Sequence, residues 1–182
     1  MRLDLYESGG FDRGRNKLVE TLWLIASALL VRSGLPGSRV RIWALRAFGA
    51  RIGPRVVIKP YVKVKFPWRL SIGAHSWIGE GVWIDNLDEV RIGEHCCISQ
   101  GAYLCTGSHD WSKETFDLIT KPIHIEDGAW ICAKAIIGPG VRVGRGAVLM
   151  LGTVATHDLV SATCYGTAPV VASRSRCSVK AP

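Results

Sequence analysis

The sequence predicts an all-β chain, a parallel β-helix of hexapeptide repeats preceded by a helical segment and interrupted by one extruded loop. From Ile72 to Thr153 an aliphatic residue, usually followed by Gly, returns every six positions: Ile72, Ile78 and Ile84, then Ile92, Ile98 and Leu104, then Ile125, Ile131, Ile137, Val143 and Leu149. Four residues after these come small or β-branched residues, Ser76, Val82, Cys96, Ala102, Ala129, Ala135, Val141, Ala147 and Thr153. Between Leu104 and Ile125 the register is lost for 21 residues where three repeats would take 18, so a loop over 106–122 leaves the wall. Six does not fit an α-helix, whose roughly 3.6 residues per turn would scatter the aliphatics, nor a plain strand, which alternates with a period of two. Strands of a β-sandwich would space their turns roughly 8–12 residues apart. A short strand and a corner, three times per coil, point each aliphatic into a triangular prism.

At 182 residues the chain is one domain with a small appendage, and its 48% hydrophobic content and 20 glycines fit a compact repeat fold. We divide it into an N-terminal arm and helical segment (1–50), the β-helix (51–160) and a C-terminal basic tail (161–182). Cys96, Cys97, Cys105, Cys132, Cys164 and Cys177 show no CxxC spacing, and several fall at small-residue positions of the repeat. That reads as reduced, buried thiols of a cytosolic protein, with no zinc site.

Taken in order, Met1 to Asn16 is mixed in charge and glycine-containing, an extended or loosely ordered arm. Leu18 to Val31, LVETLWLIASALLV, is apolar and of helix length, but 14 residues with an internal Glu20 fall short of the roughly 20 that span a bilayer. Asp4, Glu7 and Asp12 oppose a signal-peptide n-region, and no A-x-A site follows. The segment is expected to pack on the prism, a partner subunit or a membrane surface. Gly34 to Gly37 breaks it, and Ser38 is placed to N-cap a second helix through Trp43 to Phe48.

From Arg32 to Arg69 ten Arg and Lys residues meet no acid, which accounts for much of the net charge of +8. This is either a solvated basic face or a surface for anionic head groups or a lipid diphosphate, with Trp23, Trp43 and Trp68 suited to an interface. No nucleic-acid recognition motif accompanies the charge. The repeat begins at Ile52, Ile58 and Val64, out of phase by two with the Ile72 series, so residues are inserted at a corner. The extruded loop carries His109 behind Thr106, Gly107 and Ser108 and ahead of Asp110 and Trp111. A loop on a rigid scaffold is where function concentrates.

The strings WIGEGVWIDNLDEVRIGEHCCISQGAYLCTGSHD and FDLITKPI, with Asp127-Gly128-Ala129-Trp130-Ile131 and the run Gly138 to Val148 after them, resemble the hexapeptide-repeat O-acetyltransferases. Within these, the chain is most similar to the colanic-acid-type exopolysaccharide acetyltransferases, relatives of the maltose, galactoside and nodulation-factor enzymes. The resemblance spans about Arg51 to Val171. It implies a left-handed β-helix, a homotrimer with active sites between prisms, acetyl-CoA as donor and a sugar hydroxyl as acceptor. His109 matches the family's catalytic histidine.

The chemistry asks for a neutral imidazole to take the hydroxyl proton and for donors to the oxyanion, expected from backbone N–H groups near Gly128 to Ala133 or their counterparts across an interface; no metal is required. Asp85 and Asn86 lie near the family's acceptor-binding position and are candidates to bind sugar hydroxyls, beside the reading of Asp-Asn as an ordinary corner. Trp111 is a further candidate for the acceptor, while Trp83 and Trp130 either stack on sugar or fill the wall. The donor is expected along Ala129, Ala133, Ala147 and Thr153. Tyr165-Gly166-Thr167-Ala168-Pro169 departs from the family's Gly-Asn/Thr-Pro-Ala-Lys, so Arg174 and Arg176 become candidates for the CoA phosphates.

A γ-class carbonic-anhydrase-like hydratase would need a close histidine pair that His75, His95, His109, His124 and His157 do not form. A non-catalytic scaffold docked through the N-terminal region would leave His109 without a role. The expected acceptor is a sugar or lipid-linked oligosaccharide. The expected location is the cytoplasm, with peripheral contact to the anionic inner face of the plasma membrane.

Overall fold

The computed structural model describes residues 2–6 and 10–166. Strands of two or three residues stack into three parallel sheets, the faces of a prism. The first face holds Arg51–Ile52, Leu70–Ile72, Val90–Ile92, Ile123–Ile125 and Arg142–Val143. The second holds Val57–Ile58, Trp77–Ile78, Cys97–Ile98, Trp130–Ile131, Val148–Leu149 and Cys164–Tyr165. The third holds Lys63–Val64, Trp83–Asp85, Tyr103–Cys105, Ile136–Ile137 and Val154–Ala155.

The period of six sets this register. Ile58, Ile78, Ile98 and Ile131 stack in one buried column, as do Val64, Ile84, Leu104 and Ile137 in another. The small residues that follow them, from Ser76 to Thr153, are all buried and let the corners close over the aliphatics. Backbone bonds join coil to coil, such as Gly73 N–H to Ile92 O at 2.7 Å and Trp77 N–H to Cys96 O at 2.8 Å. Where coils crowd, side chains are excluded: a Cβ on Gly73 would sit 2.5 Å from the carbonyl carbon of Gly93. The two-residue slip before Ile72 is a 3₁₀ turn, Pro67–Arg69, inserted at a corner.

Asn86 fills that corner. Fully buried, it accepts from the N–H groups of Lys65 at 3.2 Å and Phe66 at 3.0 Å and donates to the Phe66 carbonyl at 2.6 Å. Its polar atoms are thus committed to the backbone of the preceding coil, which corrects the expectation that it faces an acceptor.

The three outer surfaces differ. The first face presents Arg51, Ser71, Arg91, His124 and Arg142, whereas the second presents Val57, Trp77, Cys97, Trp130 and Cys164, with Val148 in the same row but buried. A water-facing surface and a surface suited to burial therefore alternate around one prism.

Helix α1 (Lys17–Ala26) starts at Asn16, whose Oδ1 accepts from Val19 N–H at 3.0 Å, and passes into a π turn, Ser27–Val31. Its inward side carries Trp23, Ser27 and Val31; the Trp23 indole donates to the Val64 and Lys65 carbonyls. Helix α2 (Arg39–Ala47) follows. Ser38 precedes it but makes no side-chain cap; its hydroxyl instead donates to Ile58 O and accepts from Ile58 N–H, pinning the helix to the prism. Buried Arg41 gathers the carbonyls of Val31, Ser33, Leu35 and Gly37, which the chain reversal between the helices leaves without partners. The arm before α1 is tied down by Trp68 donating to Arg13 O, by Arg69 bonding Asp12 O and by Phe11 stacking on Phe66.

Candidate active site

The loop expected over 106–122 is a β-hairpin. Gly107–His109 pairs antiparallel with Leu118–Thr120, so His109 faces Leu118 in the ladder. The tip closes locally: Asp110 accepts from the Ser112 N–H and hydroxyl, and Lys113 bonds Asp117 at 2.8 Å. These contacts hold both carboxyls below their ordinary range, Asp110 chiefly through Ser112 and Asp117 chiefly through Lys113.

Within this frame the His109 ring is fixed on two sides. The Phe116 ring stacks on it at 4.2 Å with planes 2° apart, and Tyr6 meets it edge-on at 5.6 Å. Nδ1 of His109 lies 2.8 Å from the Phe116 carbonyl oxygen. A carbonyl only accepts, so Nδ1 carries the proton and neutral His109 keeps its lone pair on Nε2. Phe116 reaches both contacts with φ at +51°, a left-handed conformation that costs a non-glycine residue energy and recurs at functional sites. Tyr6 arrives on the N-terminal arm, held by Arg2 N–H donating to Glu114 O at 2.9 Å.

Asp85 stands at the root of the hairpin. Its backbone carbonyl accepts from the Thr106 hydroxyl at 3.0 Å, three residues before His109, and its Oδ2 accepts from the Tyr103 hydroxyl at 3.2 Å. Burial, with Cys105 and Asp85 adjacent, pushes the Tyr103 hydroxyl above its ordinary value, so it remains a donor. Asp85 Oδ1 is buried without a hydrogen-bond donor, and Lys65 Nζ lies 3.4 Å away as an ion pair.

The other expected residues disperse. Trp111 is 83% exposed at the hairpin tip. Ala129, Ala147 and Thr153 are buried inner-wall residues whose side chains face the prism interior, so any contact with the donor falls to their backbone. Ala133 is half-buried at a corner. Arg174 and Arg176 lie outside the described residues. The N–H groups of Gly128, Ala129, Trp130 and Cys132 are engaged in the coil-to-coil and corner bonds, so they are not free to hold an oxyanion. Trp83 stacks on Tyr103 at 4.6 Å, while the Trp130 indole donates to Ser99 Oγ.

Sequence reasoning missed Tyr6, Tyr103 and Phe116. Tyr103 precedes Leu104, so the repeat marks it as outward-facing; nothing in the spacing marks Tyr6 or Phe116. Among the described residues no group of three or more His, Cys, Asp or Glu side chains could hold a metal ion. Nor, among them, is any helix long and apolar enough to cross a membrane.

No protein-family model matches the chain. It is 37% identical over 168 residues to the protein provisionally named colanic acid biosynthesis acetyltransferase WcaF of Escherichia coli (strain K12), with 92% of each chain covered. It is 31% identical over 118 residues to nodulation protein L of Rhizobium meliloti (strain 1021), covering 63% of this chain and 64% of that one. A hexapeptide-repeat-containing acetyltransferase of Vibrio cholerae O1 biovar eltor, solved with acetyl coenzyme A, superposes with a TM-score of 0.80 at 22% identity, over 93% of this chain and 96% of that one.

Proposed function

The chain belongs to the hexapeptide-repeat acetyltransferases, in the branch of the colanic acid biosynthesis enzyme, and from that premise we propose that it transfers acetyl from acetyl-CoA to a sugar hydroxyl with His109 as general base. The observation that carries this reading is the Phe116 carbonyl at Nδ1 of His109, which leaves Nε2 as the basic atom. Nε2 removes the proton as the sugar oxygen attacks the thioester carbonyl. When the tetrahedral oxyanion collapses, the C–S bond breaks and the CoA sulfur leaves with the proton that His109 held. Asp85, held by Tyr103, accepts from hydroxyls of the acceptor. Donors to the oxyanion come from a neighbouring subunit, since the N–H groups of the Gly128 to Cys132 stretch named above are engaged within the prism.

The assembly supported by this arrangement is a homotrimer. The apolar second face, with Trp77 and Trp130 outward, has the composition of a subunit contact. The acceptor supported is lipid-linked, met by a cytoplasmic enzyme at the inner membrane surface. Leu18, Leu22, Ile25 and Leu29 follow one another along the outward side of α1 and its π turn, all exposed, so this helix is apolar on both sides. Exposed Arg15 and Lys17 stand at the start of α1 and exposed Arg39 at the start of α2, while Glu20 turns inward to Arg13. An apolar ridge edged by cations fits an anionic bilayer.

The deciding experiment is calorimetric titration with acetyl-CoA followed by acetyl transfer to sugar acceptors. Wild-type protein binds the donor near one per chain, and His109→Ala binds it equally while transfer falls about 10²–10⁴-fold. Failure of folded protein to bind acetyl-CoA would sink the proposal.

A further inference from the structure

A cavity of about 310 Å³ lies between α1 and the third prism face, within the size range of small-molecule sites. We infer that it is a subsite for an acidic glycosyl residue of the acceptor, a sugar bearing a carboxylate or a phosphate. This rests on the acetyl-transfer reading and names the substrate class for it.

The walls have the chemistry of sugar recognition. Trp68 and Trp83 line the cavity and offer ring surface to the C–H face of a pyranose, over a floor that includes buried Trp23. Trp83 is held by its stack on Tyr103 and by Lys63, whose ammonium sits 5.5 Å over the indole. Trp23 is held by its two indole bonds to the Val64 and Lys65 carbonyls. These rings are therefore fixed before a ligand arrives.

Two carboxylate oxygens lining the cavity, Glu20 Oε1 and Asp85 Oδ1, are buried and accept no hydrogen bond. Lys65 Nζ stands 3.4 Å from Asp85 Oδ1 on the prism face, whereas Glu20 Oε1 on α1 has neither a hydrogen bond nor an ion pair among the described residues, and a buried acceptor left so is destabilising. A sugar O–H donor that reaches Glu20 relieves it. Their partner oxygens are already engaged, Glu20 Oε2 by Arg13 at 2.8 Å and Asp85 Oδ2 by Tyr103.

Charge selects among sugars. Arg13, Arg32, Lys63 and Lys65 line the cavity with Glu20 and Asp85. Arg13 pairs with Glu20 and Lys65 with Asp85, whereas Arg32 and Lys63 form no ion pair among the described residues. Two cations thus remain for an anionic group. The π turn contributes to this: Arg32 N–H bonds back five residues to Ser27 O at 2.8 Å, and both residues line the cavity. Asp85 lines the cavity, and its carbonyl anchors Thr106 at the root of the His109 hairpin. A glycan seated here extends toward the reacting histidine.

The test titrates the full chain with methyl β-glucuronide, glucose 1-phosphate and methyl β-glucoside, each beside a separate acetyl-CoA titration. We expect at least one anionic probe to bind about tenfold or more tightly than the neutral glucoside, a gap of about 1.4 kcal/mol. Whichever anion binds more tightly identifies the acid as carboxylate or phosphate. The double variant Arg32→Gln, Lys63→Met changes two exposed side chains and is expected to erase the preference, whereas Glu20→Gln weakens all three probes. Equal affinity for the three, binding of none, or a preference that survives the double variant overturns the subsite. Loss of acetyl-CoA binding in the same protein would instead overturn the transfer reading, so the two failures are distinguishable.

Discussion

The carbonyl oxygen of Phe116 lies 2.8 Å from Nδ1 of His109, and the Phe116 ring covers the same imidazole at 4.2 Å. One residue thereby fixes both the tautomer and the plane of the base. The backbone bond survives substitution and the stack does not. Phe116→Leu is therefore expected to lower kcat about tenfold, or about 1.4 kcal/mol, with KM for acetyl-CoA unchanged. Steady-state kinetics checks this, and a change confined to KM would show that the ring binds donor rather than positions the base.

Asn86 tests the corner. Removing its amide orphans the Phe66 N–H inside the prism, while the Lys65 N–H keeps the Ile84 carbonyl and the Phe66 carbonyl keeps the Arg69 N–H. Asn86→Ala should lose about 1–3 kcal/mol in denaturant unfolding, the cost of one unmet buried group. A variant of native stability that had lost acceptor binding would restore Asn86 to the acceptor site.

The hairpin tip should loosen in acid. The Asp110 and Asp117 carboxyls are held below their ordinary value, so their contribution is present above that value and is lost as pH falls through the lowered one. The protection factors of amides across 110–117, taken against intrinsic exchange at each pH, should therefore hold at neutral pH and fall below about pH 4. Ser112→Ala, which removes the hydroxyl bonded to Asp110, should move the onset of that fall to higher pH. An onset unmoved by the substitution would mean that the tip is held by other contacts.

Trp77, 58% exposed on the apolar second face, is placed to report assembly. Wild-type protein is expected to sediment as a trimer, and Trp77→Glu as smaller species with its β-structure retained. A wild-type monomer across the micromolar range would remove the shared active site.

Leu22 and Ile25 test the ridge of α1. Wild-type protein should float with vesicles containing anionic lipid, and Leu22→Glu with Ile25→Glu should abolish flotation without unfolding the chain, because both side chains already face outward. Recovery of wild-type protein in the pellet, while a peripheral control floats, would place the acceptor away from the membrane.

The sequence by itself determined the prism, its inner columns, the slip before Ile72 and the site of extrusion, and the family resemblance singled out His109 within the extruded segment. Those properties are local: a side chain that returns every six residues meets its own repeat in the next coil, so periodicity alone states the contact. It did not state what the extruded segment does, because a hairpin depends on how Gly107–His109 and Leu118–Thr120 find each other once both have left the wall. Only the tertiary structure set Tyr6 against His109, closed Asn86, Ala129 and Ala147 inside the prism, and opened a cavity where α1 crosses Trp83 and Asp85. Each of those joins positions unrelated by the repeat or turns on which way a corner side chain points, and coil closure and helix docking decide both.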